Sequence, residues 1–366
     1  LKQLLVEHPQ LATMRSARHH RAVLPHYLAA NGVENEHQVT PGNAVELAEV
    51  LFAAGGDTVI DATADFYGGG AGSTPLVALV TSAHPHEAGV QADLVRSFCA
   101  AGADPNGIED DGLPIASALG FRYPDAAIAL AESGARVDNL VAAAALGRID
   151  LLRKFIDRSP AITSAACTFH NPRLSLPESR HPHPDQALGQ AFVFACMAGQ
   201  LETARYLLDR GVDVNVGPRK GITALHESAY QGRIDILQFL IRHGADPLLR
   251  DSQWNSTPIG WADGGKQSDA IEYLFGLEQV DFLDAVELRR YELVSKMLQA
   301  DSTLANAPDG KGAALRFAAF HGDLRLAKLL LDAGADRTLP NDDGLTPSDY
   351  AEKSGHEEML EILSQQ

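Results

Sequence analysis

With 366 residues, 45% apolar, 6% aromatic and a formal net charge of −18, this chain can build a large core but suits phosphate-rich partners poorly. Nucleic acid and anionic membrane surfaces both require clustered Lys and Arg, so the charge balance argues against either as a partner. No apolar run approaches the roughly 18 residues that span a bilayer, and the three cysteines, Cys99, Cys167 and Cys196, form neither a CxxC pair nor an even-numbered framework, which points to a reducing, cytoplasmic setting.

Leu1–Leu11 reads as a helix stopped by His8-Pro9. The chain therefore opens inside an expected helix, which leaves room for a targeting segment before Leu1. A two-helix unit around His26 closes between Gly55 and Asp57, with residues 33–43 expected as an insertion between its helices. The tip at residues 65–73 is long and glycine-rich, which permits close backbone approach. Thr74-Pro75-Leu76 opens a unit that closes at Gly102-Ala103-Asp104, with residues 83–91 expected as its insertion. Another unit runs from Asp111 to Asp138, and Leu140–Ile162 carries helices without the Thr-Pro-Leu opening. Residues 163–186 are proline-rich and belong on a surface rather than in a continuous helix.

Phe192–Asn215 is a clear unit, and Thr223–Asp246 is the fullest one. There Thr223 can cap free N–H groups, while Leu225, Ser228 and Ala229 are spaced to face a neighbour. Gly232 ends the first helix, Ile236, Phe239 and Leu240 line the buried face of the second, and Gly244-Ala245-Asp246 closes the unit. The next unit, opening at Trp254-Asn255-Ser256-Thr257-Pro258, is irregular. Gly260 stands where His226 stands in its neighbour, and Asp263-Gly264-Gly265 is expected to shorten or fray the helix. Phe282–Leu304 again lacks the Thr-Pro-Leu-His opening. Ala314–Asp336 carries Arg316 in the His place, and Thr346-Pro347 opens a last, charge-rich unit.

Openings such as Thr74-Pro75-Leu76 and Thr223-Ala224-Leu225-His226, with the Gly-Ala-Asp closures, resemble the ankyrin repeat family, whose motif opens Thr-Pro-Leu-His, over nearly the whole chain. The resemblance implies an all-α solenoid of nine or ten helix-turn-helix units with β-hairpin tips, spanning residues 1–366 as a single solenoid. Its N-terminal part, 1–162, is irregular, the 163–186 insertion follows, and the more regular 187–366 ends in a charged cap. The excess of Arg over Lys and the abundance of Ala suggest a GC-rich bacterial genome. In this family the imidazole at the His place bonds turn backbone, which is the role expected of His26 and His226. The concave face is lined by turn tips and by first-helix positions one after the His place and two before the Gly. These positions are Tyr27 and Asn31, Phe194 and Met197, Glu227, Tyr230 and Gln231, Trp261 and Asp263, then Phe317, Phe320 and His321. Aromatics with polar neighbours suit a binding hot spot, although Phe194 and Phe317 also read as packing between repeats.

The resulting expectation is a scaffold that binds a protein or peptide, with Tyr27, Asn31, Glu227, Tyr230, Gln231, Trp261, Phe320 and His321 as its ligand-binding residues and no cofactor. A small-molecule ligand is the alternative, in a hydrolase-like pocket built from His19, His20, Asp65, Tyr67 and the His-bearing insertions. His and Asp can do acid–base work and glycine N–H groups can hold an oxyanion. No Gly-x-Ser-x-Gly or HExxH motif accompanies them. His84-Pro85-His86, His170 and His181-Pro182-His183 are weak metal candidates, for which a stiff extended loop is the simpler reading. Cys196 reads as a small buried residue and Cys167 as an exposed thiol.

Overall fold

The computed structural model describes residues 1–29, 39–66, 70–156, 184–307 and 314–364. Asn31, Tyr67, Cys167, His170, His181 and His183 lie outside the described residues, as do most of the expected insertions at 33–43 and 163–186. The chain forms two compact units, Leu1–Arg219 and Lys220–Gln366.

In the first unit, the described residues form five successive helix pairs. They are Leu24–Ala29 with Ala44–Ala53, Pro75–Leu79 with Gln91–Ala100, Leu113–Gly120 with Pro124–Glu132, Leu140–Ala145 with Ile149–Ile156, and Pro184–Met197 with Leu201–Leu208. A helix at Lys2–Glu7 precedes them. First helices stack on first helices because they are apolar and small all round; every residue of Leu140–Ala145 is buried. The one sheet among the described residues is a hairpin in which Ala64–Phe66 pairs antiparallel with Gly70–Ser73. The extended form expected of His84-Pro85-His86, within residues 83–91, is a correction. Instead of an extended loop, Ala83–Glu87 is a short helix with Pro85 buried, and His86 stacks 4.5 Å from Tyr123. Gln91 holds it by donating to the carbonyls of Leu79 (2.9 Å) and Ser82 (3.0 Å).

The second unit also has five pairs among its described residues: Ala224–Tyr230 with Ile234–Arg242, Pro258–Gly264 with Ser268–Phe275, Phe282–Glu287 with Tyr291–Ala300, Ala314–His321 with Leu324–Asp332, and Pro347–Ser354 with Glu357–Ser364. Its second helices are one-sided. Ile236, Leu237, Phe239 and Leu240 are buried while Asp235 and Gln238 face water, and each fully buried aliphatic side chain contributes about 1.5–3 kcal/mol.

Thr223, Thr257 and Thr346 cap their helices by accepting from the N–H three residues on, at 3.5, 3.4 and 3.3 Å. The Gly-Ala-Asp closures share one device, an aspartate that accepts from the N–H two residues later. Asp104, Asp246 and Asp336 each do so at 2.8 Å. Successive repeats also meet at a seam where a first helix ends. A Cβ on Gly232 would come 2.3 Å from Gln267 Oε1, and Gly147 faces Gln200 and Gly322 faces His356 in the same way. His356 adds a bond from Nε2 to the Phe320 carbonyl (3.0 Å).

Asp263-Gly264-Gly265 does not fray its helix, which runs its full course from Pro258 to Gly264. Gly265 is there for proximity. A Cβ on Gly265 would sit 2.2 Å from the Tyr230 carbonyl oxygen, although its φ of −81° suits any residue. Gly265→Ala is therefore expected to cost about 2–3 kcal/mol by overpacking, measured by urea unfolding followed through tryptophan emission. Gly264→Ala, which meets nothing within 4 Å, should be neutral or slightly stabilising; equal effects at the two positions would contradict the steric cause.

Candidate functional site

The irregular repeat of the second unit is organised by Asp251, which is 1% exposed. Its Oδ1 accepts from the N–H groups of Gln253 and Trp254, both at 2.8 Å. Its Oδ2 accepts from Ser256 N–H (3.1 Å) and from the Trp261 indole N–H (3.0 Å). Burial works to raise its pKa, but the indole and three backbone donors outweigh it and hold the carboxyl below the usual range. Asp251 is thus an ionised carboxylate at the base of the tip. The tip is braced by Ser252 N–H to the Lys220 carbonyl (2.7 Å) and by Arg250 to the Asn255 carbonyl (2.7 Å).

This scaffold gathers aromatics. Trp261 has Trp254 at 5.2 Å and 64°, and Tyr230 at 6.1 Å and 75°. Trp254 is 50% exposed and Tyr230 38%, whereas Trp261 is only 5% exposed. Trp261 was expected as an exposed anchor; the correction is that its ring is the buried support behind two exposed ones. Glu227 is buried as well, and Gln231 is half-buried. Sequence reasoning missed Trp254 as a surface residue. Its signal was a tryptophan in a turn between Gln253 and Asn255, where no core is available to cover it. Further along, Phe320 is 51% exposed, His321 is exposed beside it at 4.9 Å, and Phe317 is half-buried against the core.

Below these rings the histidines do structural work. His226 accepts on Nδ1 from Thr223 N–H (3.2 Å) and donates from Nε2 to the Ser256 carbonyl (3.1 Å). Burial lowers its pKa, which keeps it neutral. Two repeats on, Asp284 is buried and accepts from the Thr257 hydroxyl at 2.6 Å. Burial pushes its pKa up to about 7, with Asp281 and Glu287 adding to the rise and Thr257 and Arg250 opposing it.

In the first unit, His26 is fully buried, accepts from Val23 N–H (3.3 Å) and donates to the Ser73 carbonyl (3.0 Å); burial holds its pKa at about 4. Tyr27 is half-buried beside the recess lined by Leu24, Leu28 and Leu51. Phe194 is half-buried against the core, and Met197, expected on the concave face, is buried at 1%, a correction explained by its place among first helices stacked on both sides. His20 and Asp65 do meet, through backbone: Asp65 N–H donates to the His20 carbonyl (3.2 Å). Their side chains shape the tips. His20 Nδ1 accepts from Ala22 N–H (3.1 Å) and Asp65 Oδ1 from Gly72 N–H (2.7 Å). Cys196 is buried, as expected of a small packing residue.

Residues 140–251 match a family model described as ankyrin repeats in three copies, and residues 284–363 match one described as ankyrin repeats in many copies. Similar proteins include the mitochondrial disaggregase of Homo sapiens, 31% identical over 47% of this chain and 25% of that protein. Fem-1 homolog A-like of Mus musculus is 38% identical over 26% of this chain and 14% of its own length. Ankyrin repeat protein nuc-2 of Neurospora crassa is 25% identical over 60% and 21%. The matched stretches thus span a quarter or less of these relatives. No helix among the described residues is long and apolar enough to cross a membrane.

Proposed function

The chain belongs to the ankyrin repeat family, whose repeats generally mediate protein–protein interaction, and from that premise we propose that it binds a protein or peptide segment across the first-helix and tip face of its second unit. The supporting observation is the pairing of exposed Trp254 and Tyr230 around the buried Trp261, whose indole N–H is held by Asp251. Rigid aromatics that offer large apolar area with few rotatable bonds are what binding hot spots contain. Phe320 and His321 extend the same kind of surface farther along the unit. In this reading the protein works in a reducing compartment such as the cytoplasm, where Cys99 and Cys196 stay thiols.

The test is affinity purification of the full chain from its native source beside the double variant Tyr230→Ala, Trp254→Ala. Loss of at least about tenfold of a co-purifying protein at unchanged urea midpoint is expected, since a hot-spot residue is worth about 2 kcal/mol or more. Full retention of the partner would reject this face as the binding surface.

A further inference from the structure

We infer that the Tyr230, Trp254 and Trp261 cluster receives a basic side chain, lysine or arginine, from the bound polypeptide. The inference rests on the protein-binding reading above and adds the chemistry of the occupant.

The exposed rings, Tyr230 and Trp254, stand at steep angles to Trp261, at 75° and 64°. Both meet Trp261 in edge-to-face rather than stacked contacts, and both keep exposed surface. An aromatic face carries negative quadrupolar potential and attracts a cation, most strongly for tryptophan. Asp251 amplifies this. Its carboxylate accepts the Trp261 indole N–H at 3.0 Å, and donation to an anion makes the indole ring more electron-rich. Its own charge lies at the edge of the Trp261 ring, 3.0 Å from the indole nitrogen, in a buried setting where water screens little. Four donors saturate Asp251, so it contributes field rather than a direct contact. Asp263, exposed and two residues beyond Trp261, adds a second negative charge to the same helix. The net charge of −18 favours a basic segment over an acidic one. The same unit already uses this chemistry within itself, with Arg325 lying 4.2 Å from the Tyr291 ring centroid and Arg290 4.8 Å from that of Phe275.

The chain has two tryptophans and both are in this cluster, so emission of the full chain reports on the site alone. The probes are capped pentapeptides of four alanines around a central lysine, arginine, norleucine or glutamate, titrated at low salt. The lysine and arginine peptides are expected to shift the emission and to bind at least about tenfold more tightly than the norleucine peptide, with the glutamate peptide weakest. Salt should weaken the basic peptides and leave norleucine unchanged. Trp254→Leu and Tyr230→Leu should each weaken the lysine peptide several-fold at an unchanged urea midpoint, with Trp261 still reporting. Equal binding of the norleucine and lysine peptides would overturn the basic occupant while leaving an apolar protein-binding surface. Silence from every peptide, with the protein partner still lost in the double alanine variant, would likewise overturn it. Silence together with a retained partner would remove both readings.

Discussion

Trp261→Ala is expected to destabilise the second unit by about 4 kcal/mol, the middle of the range for truncating a buried aromatic. The ring is 5% exposed and braces Trp254, Tyr230 and His226, the last at 5.6 Å. Truncation would also remove the indole donor from Asp251 Oδ2, and a buried carboxylate that loses a partner adds to the cost. Urea unfolding of the full chain, followed by emission of the remaining Trp254, measures the change. Trp261→Phe should lose less, because most of the volume stays while the donor goes. A loss below about 1 kcal/mol for the alanine variant would mean that the ring is not a structural support. The consequence for function is practical. Trp261→Ala weakens binding by unfolding the surface, so Trp254 and Tyr230 are the residues that test recognition.

Asp284→Asn is expected to stabilise the second unit at pH 8 by about 2–4 kcal/mol and to flatten its stability between about pH 4 and 7. The folded pKa, about 7, lies above the ordinary value of 3.8. The protonated form therefore favours folding. Its contribution is complete below the unfolded pKa. It is lost as pH rises through the folded one, at roughly 1.4 kcal/mol for each pH unit between the two values. His226 acts with the opposite sign. Its lowered pKa makes stability fall as pH drops below 6.5. Comparing wild type with the asparagine variant across pH cancels that shared histidine contribution. Parallel pH profiles for the two proteins would show that Asp284 is ionised throughout the range.

Much of the fold was legible because its determinants are local. Threonine caps, Gly-Ala-Asp closures and apolar spacing each act within a few residues, and His26 and His226 bond turn backbone as the family pattern implies. The site was less legible because exposure is a property of neighbours. Position-by-position reading treats Glu227 and Trp261 as surface residues. Glycine at 265 allows the Tyr230 end of the preceding repeat's first helix to close in, and the Asp251 tip holds the indole. The extended form expected within residues 83–91 failed for a related reason. His84-Pro85-His86 looked extended from its proline, yet proline is at home in the first turn of a helix, and a buried surface awaited it. The reactive reading of His20 and Asp65 brought together residues that do meet, but both side chains are occupied in holding their turns.

The seams at Gly147, Gly232 and Gly322 bear on how such a chain can change over time. At each of these three seams one repeat carries a slot, the glycine, and the next supplies a key, Gln200, Gln267 or His356. Unequal recombination in whole-repeat steps keeps the start of a second helix opposite each of these glycines, where Gln200 and Gln267 stand now. A crossover that breaks phase sets a side chain where a gap is needed. Growth and shrinkage of the array are therefore confined to whole-repeat steps, while single substitutions at the glycines are the changes selection should purge first.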